Sequence, residues 1–410
     1  MTDAEAPDRR SDGPGKVKAL RCCFLIEHIG ALGGTERAAC QVMTGLAERG
    51  GFEAIHLLEV FPVGPAPFPF DPSIRRAALS ARKISVLGAW PRLVHRLRAY
   101  VRMHAIDVLI VVESTHALYA IPALAGTGVR CVVWEHFNFG VDLGRRPRRW
   151  GRRVAGRWAD DVVTLTQRDI TMCRMGIGTG MRAHLTAISN AAPPVWRTAY
   201  PVESRVVLAV GRLVPQKGYD RLIEAWRLLA RDPALAAWRL AIVGDGPLRG
   251  VLERQIADAE LGERIELAPA TVAIETYYAR AALYCCASRF EGFPMVLLEA
   301  AAAGVPAVAF NCETGPSEII IDGESGVLVP QGDVAGLAGA LRALMTDPVR
   351  RARLSVGARK RAEVFALPIV LARWYALLGV DAPATRSDVE WSVGQDRTPR
   401  VRSVIMSASV

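Results

Sequence analysis

From about residue 20 to residue 379, short apolar, β-rich runs alternate with amphipathic stretches, and the alternation breaks once, at the prolines of NAAPPVWRTAYPVE (190–203). Strands that recur with a helix-sized segment between them belong to a parallel sheet, because a tight hairpin cannot join parallel neighbours. In the first half the strand candidates are 20–27, 53–60, 107–112, 130–135, 161–165 and 184–189, with helices at 35–49, 91–104, 115–125 and 147–158. FPVGPAPFPFDP (61–72) carries too many prolines for either element and reads as a loop. After the proline break the pattern restarts with strands at 205–210, 238–243, 264–267, 283–286, 306–310 and 326–329. Helices are expected at 218–230, 247–260, 294–303, 333–346, 348–364 and 367–379.

The predicted architecture is α/β: two doubly wound domains facing each other across a cleft, with ligands at the carboxyl ends of the strands. A chain of 410 residues exceeds what one hydrophobic core usually supports, so two cores are expected. The expected divisions are a disordered lead-in (1–18), a first domain (19–195), a second domain (203–365), a C-terminal helix packing back toward the first domain (366–380) and a loose tail (381–410). The polar start lacks the apolar stretch of a secretory signal, and no run of about 18 apolar residues exists to span a membrane. Eight cysteines without C-x2-C spacing point to reduced, buried thiols and a cytoplasmic protein.

The formal net charge of +10 is unevenly placed. Residues 1–200 carry 27 Lys and Arg against 17 Asp and Glu, while residues 201–410 carry 24 of each. The first domain therefore presents a basic surface suited to an anionic partner.

Three segments carry chemistry. GALGGTER (30–37) places glycines between the first strand and first helix, where backbone N–H groups can approach an anion or form a plain tight turn. In AVGRLVPQKGYD (209–220) a strand ends at Gly211, and Arg212 and Lys217 follow at the sheet edge, where two cations suit a diphosphate. In SRFEGFPMVLLEAAAAGVP (288–306), Glu291 lies in a Gly-Phe-Pro turn and Glu299 follows two helical turns later among apolar neighbours. A carboxylate in such surroundings needs polar partners, and sugar hydroxyls are suitable ones.

Together Arg212, Lys217, IVGDGP (242–247) and the Glu-x7-Glu block resemble the large family of retaining, nucleotide-sugar-dependent glycosyltransferases of the GT-B fold often numbered family four. The similarity runs from about 20 to 379 and is strongest over 205–330. The resemblance implies two Rossmann-like domains and transfer of a hexosyl unit from a nucleotide diphosphate sugar, without metal or cofactor, to a glycan acceptor, lipid-linked in cell-surface polysaccharide or lipopolysaccharide synthesis. It implies catalytic roles for Arg212 and Lys217 on the leaving diphosphate, Glu291 on the donor sugar and His136, in VVWEHFNF, beside that sugar. It implies donor contacts from Gly211, Gly292, Phe293, Pro294, Leu298 and Glu299, the last to the ribose, and a cleft wall at Gly33 and Gly34. Read on its own, His136 at a strand end suits a structural role, and Glu135 or Asn138 could serve in its place. The family's usual glycine near the base is missing from ELAPATV (266–272), whereas NCETGPSEIIIDGESGVLV (311–329) is nearer to members using UDP-hexoses than to those using GDP-mannose. Two alternatives are a GT-B sugar-nucleotide epimerase, against which the Glu-x7-Glu block argues, and a non-catalytic sugar-nucleotide-binding subunit.

LGRRPRRWGRRVAGRW (143–158) holds seven Arg. On a helix, Trp150, Val154 and Trp158 form one stripe and Arg149, Arg153 and Arg157 the next. The expected partner is an anionic membrane surface at the inner face of the cell membrane, contacted by Arg149, Trp150, Arg153 and Arg157; the alternative is a Trp stripe packed on the sheet beneath a solvated Arg stripe. No nucleic-acid reader motif accompanies the patch.

Overall fold

The computed structural model describes residues 19–85, 88–142, 144–194 and 199–382. The expected lead-in (1–18) and most of the expected tail (383–410) lie outside the described residues.

The first domain runs β1 (Leu20–Ile26), α1 (Gly34–Arg49), β2 (Phe52–Glu59), β3 (Arg75–Ala78), α2 (Trp90–Met103), β4 (Val108–Val112), α3 (Ala117–Leu124), β5 (Arg130–Trp134), α4 (Arg146–Trp158), β6 (Asp161–Thr164), α5 (Gln167–Ile177) and β7 (His184–Ala187). These strands form one seven-stranded parallel sheet in the order β3-β2-β1-β4-β5-β6-β7. The second domain runs β8 (Val206–Val210), α6 (Tyr219–Leu229), β9 (Arg239–Val243), α7 (Arg249–Asp258), β10 (Ile265–Ala268), α8 (Glu275–Arg280), β11 (Leu283–Cys286), α9 (Met295–Ala303), β12 (Ala307–Asn311), α10 (Pro316–Ile319), β13 (Gly326–Pro330), α11 (Val334–Met345) and α12 (Pro348–Glu363). Its six parallel strands follow the order β10-β9-β8-β11-β12-β13. In both sheets the order reverses beside the first strand of the domain, so a crevice opens at the carboxyl ends of β1 and β4 and of β8 and β11. The central strands read as apolar runs, unbroken in VLIVV and over CCFLI of β1, because helices cover both faces.

Two kinds of element escape the sequence pattern. Strand β3 is four residues, RRAA, at the sheet edge, and it lies just past the proline-rich loop; an exposed edge has no apolar signature. Helix α5 has a mixed composition, QRDITMCRMGI, and is set by its cap: the Thr166 hydroxyl accepts from Asp169 N at 3.0 Å. The one-turn α8 and α10 are too short for a periodicity.

The last helix, α13 (Leu367–Leu378), lies on the first domain. Its Trp374 ring meets Trp134 at the end of β5 edge-on at 4.8 Å, Tyr375 Oη donates to Gly50 O at 2.7 Å, and Leu371 fills the place a side chain at Gly45 of α1 would need. Ala192 N also donates to Phe365 O at 2.8 Å, so chain from both sides of the domain crossing is tied together there. All eight cysteines are buried and unbonded to one another.

A β-carbon on Gly45 would stand 2.6 Å from Leu371 Cδ1, whereas one on Gly339 in α11 meets nothing within 4 Å. Gly45→Val is expected to destabilise by about 1–3 kcal/mol through overpacking, lowering the melting temperature by several degrees in calorimetry, while Gly339→Val leaves it nearly unchanged.

Candidate active site

The second domain supplies one wall. β8 is followed by Gly211, whose φ of 151° and close approach to the Tyr219 hydroxyl and the Lys217 stem leave no room for a side chain. The following loop exposes Arg212, which forms no ion pair among the described residues. Lys217 turns inward and donates from Nζ to Glu291 Oε1 at 2.7 Å. Burial alone would push the Lys217 ammonium down, but the Glu291 carboxylate outweighs it and holds the group above its ordinary value. Glu291 is 5% exposed and also accepts from Ser288 Oγ at 2.6 Å and Gln216 Nε2 at 3.4 Å. The cation and the carboxylate expected at this edge are thus one pair, a half-buried Lys217 on a buried Glu291, and Arg212 is an exposed charge without an ion pair among the described residues.

Pro294 caps α9, which then runs MVLLEAAAA with Leu298 and Glu299 facing inward. Phe293 is buried and packs edge-on against Phe365 at 5.5 Å. Glu299, 5% exposed, accepts from Tyr278 Oη at 2.9 Å through one oxygen and from Arg37 Nη1 of α1 through the other. Burial pushes its carboxyl up, and Arg37 is the strongest influence pulling it back.

The first domain supplies the opposite wall. His136 follows β5, 7% exposed, with its ring 4.5 Å from that of Trp134. Its Nε2 has no partner among the described residues, and burial lowers its pKa to about 4, so the imidazole is neutral near pH 7. Glu135 beside it is committed to structure, accepting from Ser114 Oγ, from Arg152 Nε at 3.2 Å and from the backbone N of His136 and Phe137 at 3.0 Å each. Asp169, at the start of α5, accepts from Phe139 N at 2.7 Å, and burial pushes its carboxyl up to about 7.

The two walls touch. Asn138 Nδ2 donates to Glu291 O at 3.1 Å and to Thr314 Oγ1 at 2.9 Å, and Thr314 Oγ1 donates to Glu291 O at 2.5 Å. A β-carbon on Gly292 would lie 2.3 Å from His136 O, and one on Gly34 would lie 3.3 Å from Met295 Cγ. The glycines at 34 and 292 therefore sit where the two domains come closest, and Gly33 N-caps α1, where the Glu36 carboxylate folds back over it. The structure gathers Gly34, His136, Lys217, Glu291, Gly292, Pro294 and Glu299 along one cleft. Residues the sequence reading did not single out are Arg37, Asp169, Ser288, Tyr278 and Thr314. Arg37 stood within the quoted GGTER segment, but nothing in the chain couples it to a carboxylate 262 positions away.

On α4, Arg149, Arg153 and Arg157 are exposed with Trp150 (49%) and Trp158 (58%), so the tryptophans do not pack on the sheet. The surface patch is smaller than the arginine count suggests. Arg148 and Arg152 point inward to Glu113 (2.8 Å) and Glu135, and Arg149 holds Asp142 at 2.5 Å. Among the described residues no helix is long and apolar enough to cross a membrane.

Two facing parallel-sheet domains with cations and buried carboxylates along the cleft define a glycosyltransferase of GT-B fold, and comparison with known proteins bears this out. Residues 196–361 match the family described as glycosyl transferases group 1. A GDP-mannose-dependent alpha-(1-6)-phosphatidylinositol monomannoside mannosyltransferase of Mycolicibacterium smegmatis is 37% identical over 294 residues, covering 66% of this chain and 75% of that protein. An uncharacterized glycosyltransferase of Haemophilus influenzae is 29% identical over 355 residues, 87% of this chain and 99% of its own. The solved structure of Anabaena HepE in complex with UDP-glucose has the same fold, with a TM-score of 0.72 at 19% identity over 88% of this chain and 99% of that one. The chain belongs to the group 1 glycosyltransferases and is an enzyme of that family.

A neutral His136 makes a specific prediction. Its ring proton resonance, assigned by loss in His136→Gln, is expected to hold its chemical shift from about pH 5.5 to 8, because the pKa lies near 4; a midpoint near the ordinary histidine value of about 6.5 would contradict the burial argument.

Proposed function

We propose that this enzyme is a retaining, metal-independent hexosyltransferase that moves a sugar from a nucleotide diphosphate, UDP in preference to GDP, to a lipid-linked glycan acceptor in cell-surface polysaccharide or lipopolysaccharide synthesis. The carrying observation is the second-domain edge, where the exposed Arg212 follows Gly211 and Lys217 pairs with the buried Glu291, with Glu299 further along the same wall. A diphosphate leaving group gains negative charge as the glycosidic bond breaks, and preorganised cations stabilise that charge. In this reading Arg212 and Lys217 bind and stabilise the diphosphate beside Gly211. Glu291, with the backbone of Gly292 and Phe293 and the turn at Pro294, receives the donor sugar's hydroxyls. Leu298 and Glu299 hold the nucleoside, Glu299 through the ribose.

His136 offers its unpartnered Nε2 to the sugar as a neutral hydrogen-bonding group, and Gly33 and Gly34 line the acceptor side. The acceptor hydroxyl attacks on the leaving-group face and passes its proton to the departing phosphate, which preserves the anomeric configuration and needs no protein nucleophile. The HepE complex with UDP-glucose supports a UDP donor, and so does the 311–329 segment; the mycobacterial relative is named for GDP-mannose and for a phosphatidylinositol acceptor, which favours a lipid-borne glycan.

The exposed Arg149, Arg153 and Arg157 with Trp150 support peripheral association with the inner face of the cell membrane, the tryptophan at headgroup depth and each arginine worth about 1 kcal/mol on anionic lipid.

A thermal-shift panel of UDP- and GDP-sugars is expected to show stabilisation by the UDP series, since a ligand bound only to the folded state raises its stability. Stabilisation by neither series would sink the donor reading. Each charge-assisted hydrogen bond is worth about 1.5–3 kcal/mol, so Arg212→Ala or Lys217→Ala should lower kcat/KM by roughly tenfold to a hundredfold.

The membrane reading is checked by vesicle sedimentation. The wild-type protein should pellet with phosphatidylglycerol-containing vesicles and less so as salt rises, and the triple change Arg149→Ser, Arg153→Ser, Arg157→Ser should release it. Retention of the triple variant would refute the patch.

A further inference from the structure

Among the described residues, the Arg37–Glu299 ion pair is where a first-domain cation crosses the cleft to reach the carboxylate assigned above to the ribose. We propose that Arg37 is a positioning residue of the donor site, supplied by the opposite domain, which orients Glu299 and keeps it ionised for the ribose hydroxyls only when the cleft is closed. This rests on the reading of Glu299 as the ribose acceptor.

The two hydrogen bonds at Glu299 leave acceptor capacity for ribose hydroxyls. A carboxylate has about four acceptor directions. Arg37 Nη1 takes one at Oε1 and Tyr278 Oη one at Oε2, so each oxygen keeps a further direction for a hydroxyl. Arg37 itself is held in place: it lies in the first turns of α1, and its guanidinium stands 5.8 Å from the ring centroid of Phe68 in the proline-rich loop. The groups facing Glu299 come from four elements besides its own. They are Arg37 on α1, Tyr278 on α8, Lys217 before α6 and Tyr284 on β11. Lys217 is occupied by Glu291 and both tyrosines are neutral near pH 7, their ionisation pushed well up by burial. Arg37 is therefore the cation dedicated to Glu299, and it resides on the other domain.

A buried carboxylate without its cation takes up a proton, because burial disfavours the charged form. A protonated Glu299 accepts fewer hydrogen bonds, so a domain-open enzyme binds the nucleoside less well. By linkage, a donor that requires the ionised form favours the closed cleft to the same extent. The device couples donor capture to assembly of the acceptor wall.

The test is UDP-glucose binding by titration calorimetry from about pH 6 to 8.5, a range over which its diphosphate does not change charge. Wild type is expected to bind with nearly constant affinity. Arg37→Gln should bind about tenfold or more weakly near pH 6 and regain affinity as pH rises, since the carboxyl ionises above its raised pKa and binding is lost as pH falls through it. Arg37→Lys, which keeps the charge, should restore a flat profile, and adding Glu299→Gln to Arg37→Gln should abolish the slope. Wild-type affinity in Arg37→Gln at every pH, or an equal loss at every pH with no rescue by Lys, would overturn the proposal. If wild type binds neither UDP-glucose nor GDP-mannose, the donor reading fails and this inference with it; if wild type binds and Arg37→Gln shows no new pH dependence, only this inference fails.

Discussion

The cleft of this enzyme is governed by what it takes to keep carboxylates ionised near an interior. Glu135, Glu291 and Glu299 are all buried at the carboxyl ends of the two sheets, and Glu113 is nearly so. A buried charge left unpaired costs several kcal/mol, so each must be met by a cation at short range. The structure answers with four pairs: Arg148 on Glu113, Arg152 on Glu135, Lys217 on Glu291 and Arg37 on Glu299. The first two lie within the first domain and brace α4 and the loop after β5. The third lies within the second domain, and the fourth crosses between them. The pairs join α1, α4 and α9 to the cleft in addition to their apolar packing on the sheets.

This division explains why neighbouring, chemically similar residues do different work. Glu135 and His136 are adjacent, yet Glu135 has its oxygens filled by Ser114, Arg152 and two backbone N–H groups, while His136 keeps Nε2 unpartnered beside the cleft. Burial makes that histidine neutral near pH 7, so it offers a hydrogen-bonding group and not a cation. Arg148 and Arg152 alternate on α4 with Arg149 and Arg153, and helical geometry sends one set inward to carboxylates and the other outward. The net charge of the first domain therefore serves two ends, bracing the cleft wall and charging an outer face that also exposes Trp150 and Trp158.

Close approach is the second constraint. Gly292 and Gly34 face the opposite domain where a β-carbon would collide with or crowd His136 O and Met295. Asn138 spans the gap to Glu291 O and Thr314. Helix α13 then returns from the second domain to α1 and sets Trp374 edge-on against Trp134, one residue from the cleft-facing Glu135–His136 turn. Ala192 N donates to Phe365 O, tying the two stretches of chain that cross between the domains.

The strand and helix alternation, the proline break and the Arg-x4-Lys and Glu-x7-Glu spacings were legible in the chain, because parallel sheets and helices impose local periods and because a site on one loop and one helix keeps fixed spacing. The edge strand β3 and helix α5 were not, since an exposed edge carries no apolar signature and α5 is set by a Thr166 cap. The sequence by itself determined the fold class, the family and the second-domain wall, whose Gly211, Arg212, Lys217, Glu291 and Glu299 lie within 89 positions of one another. Only the tertiary structure decided which charges are paired, which arginines face solvent and that Arg37 meets Glu299 across the cleft. Ion pairing depends on distances of a few ångströms between segments hundreds of residues apart, and no local period encodes those.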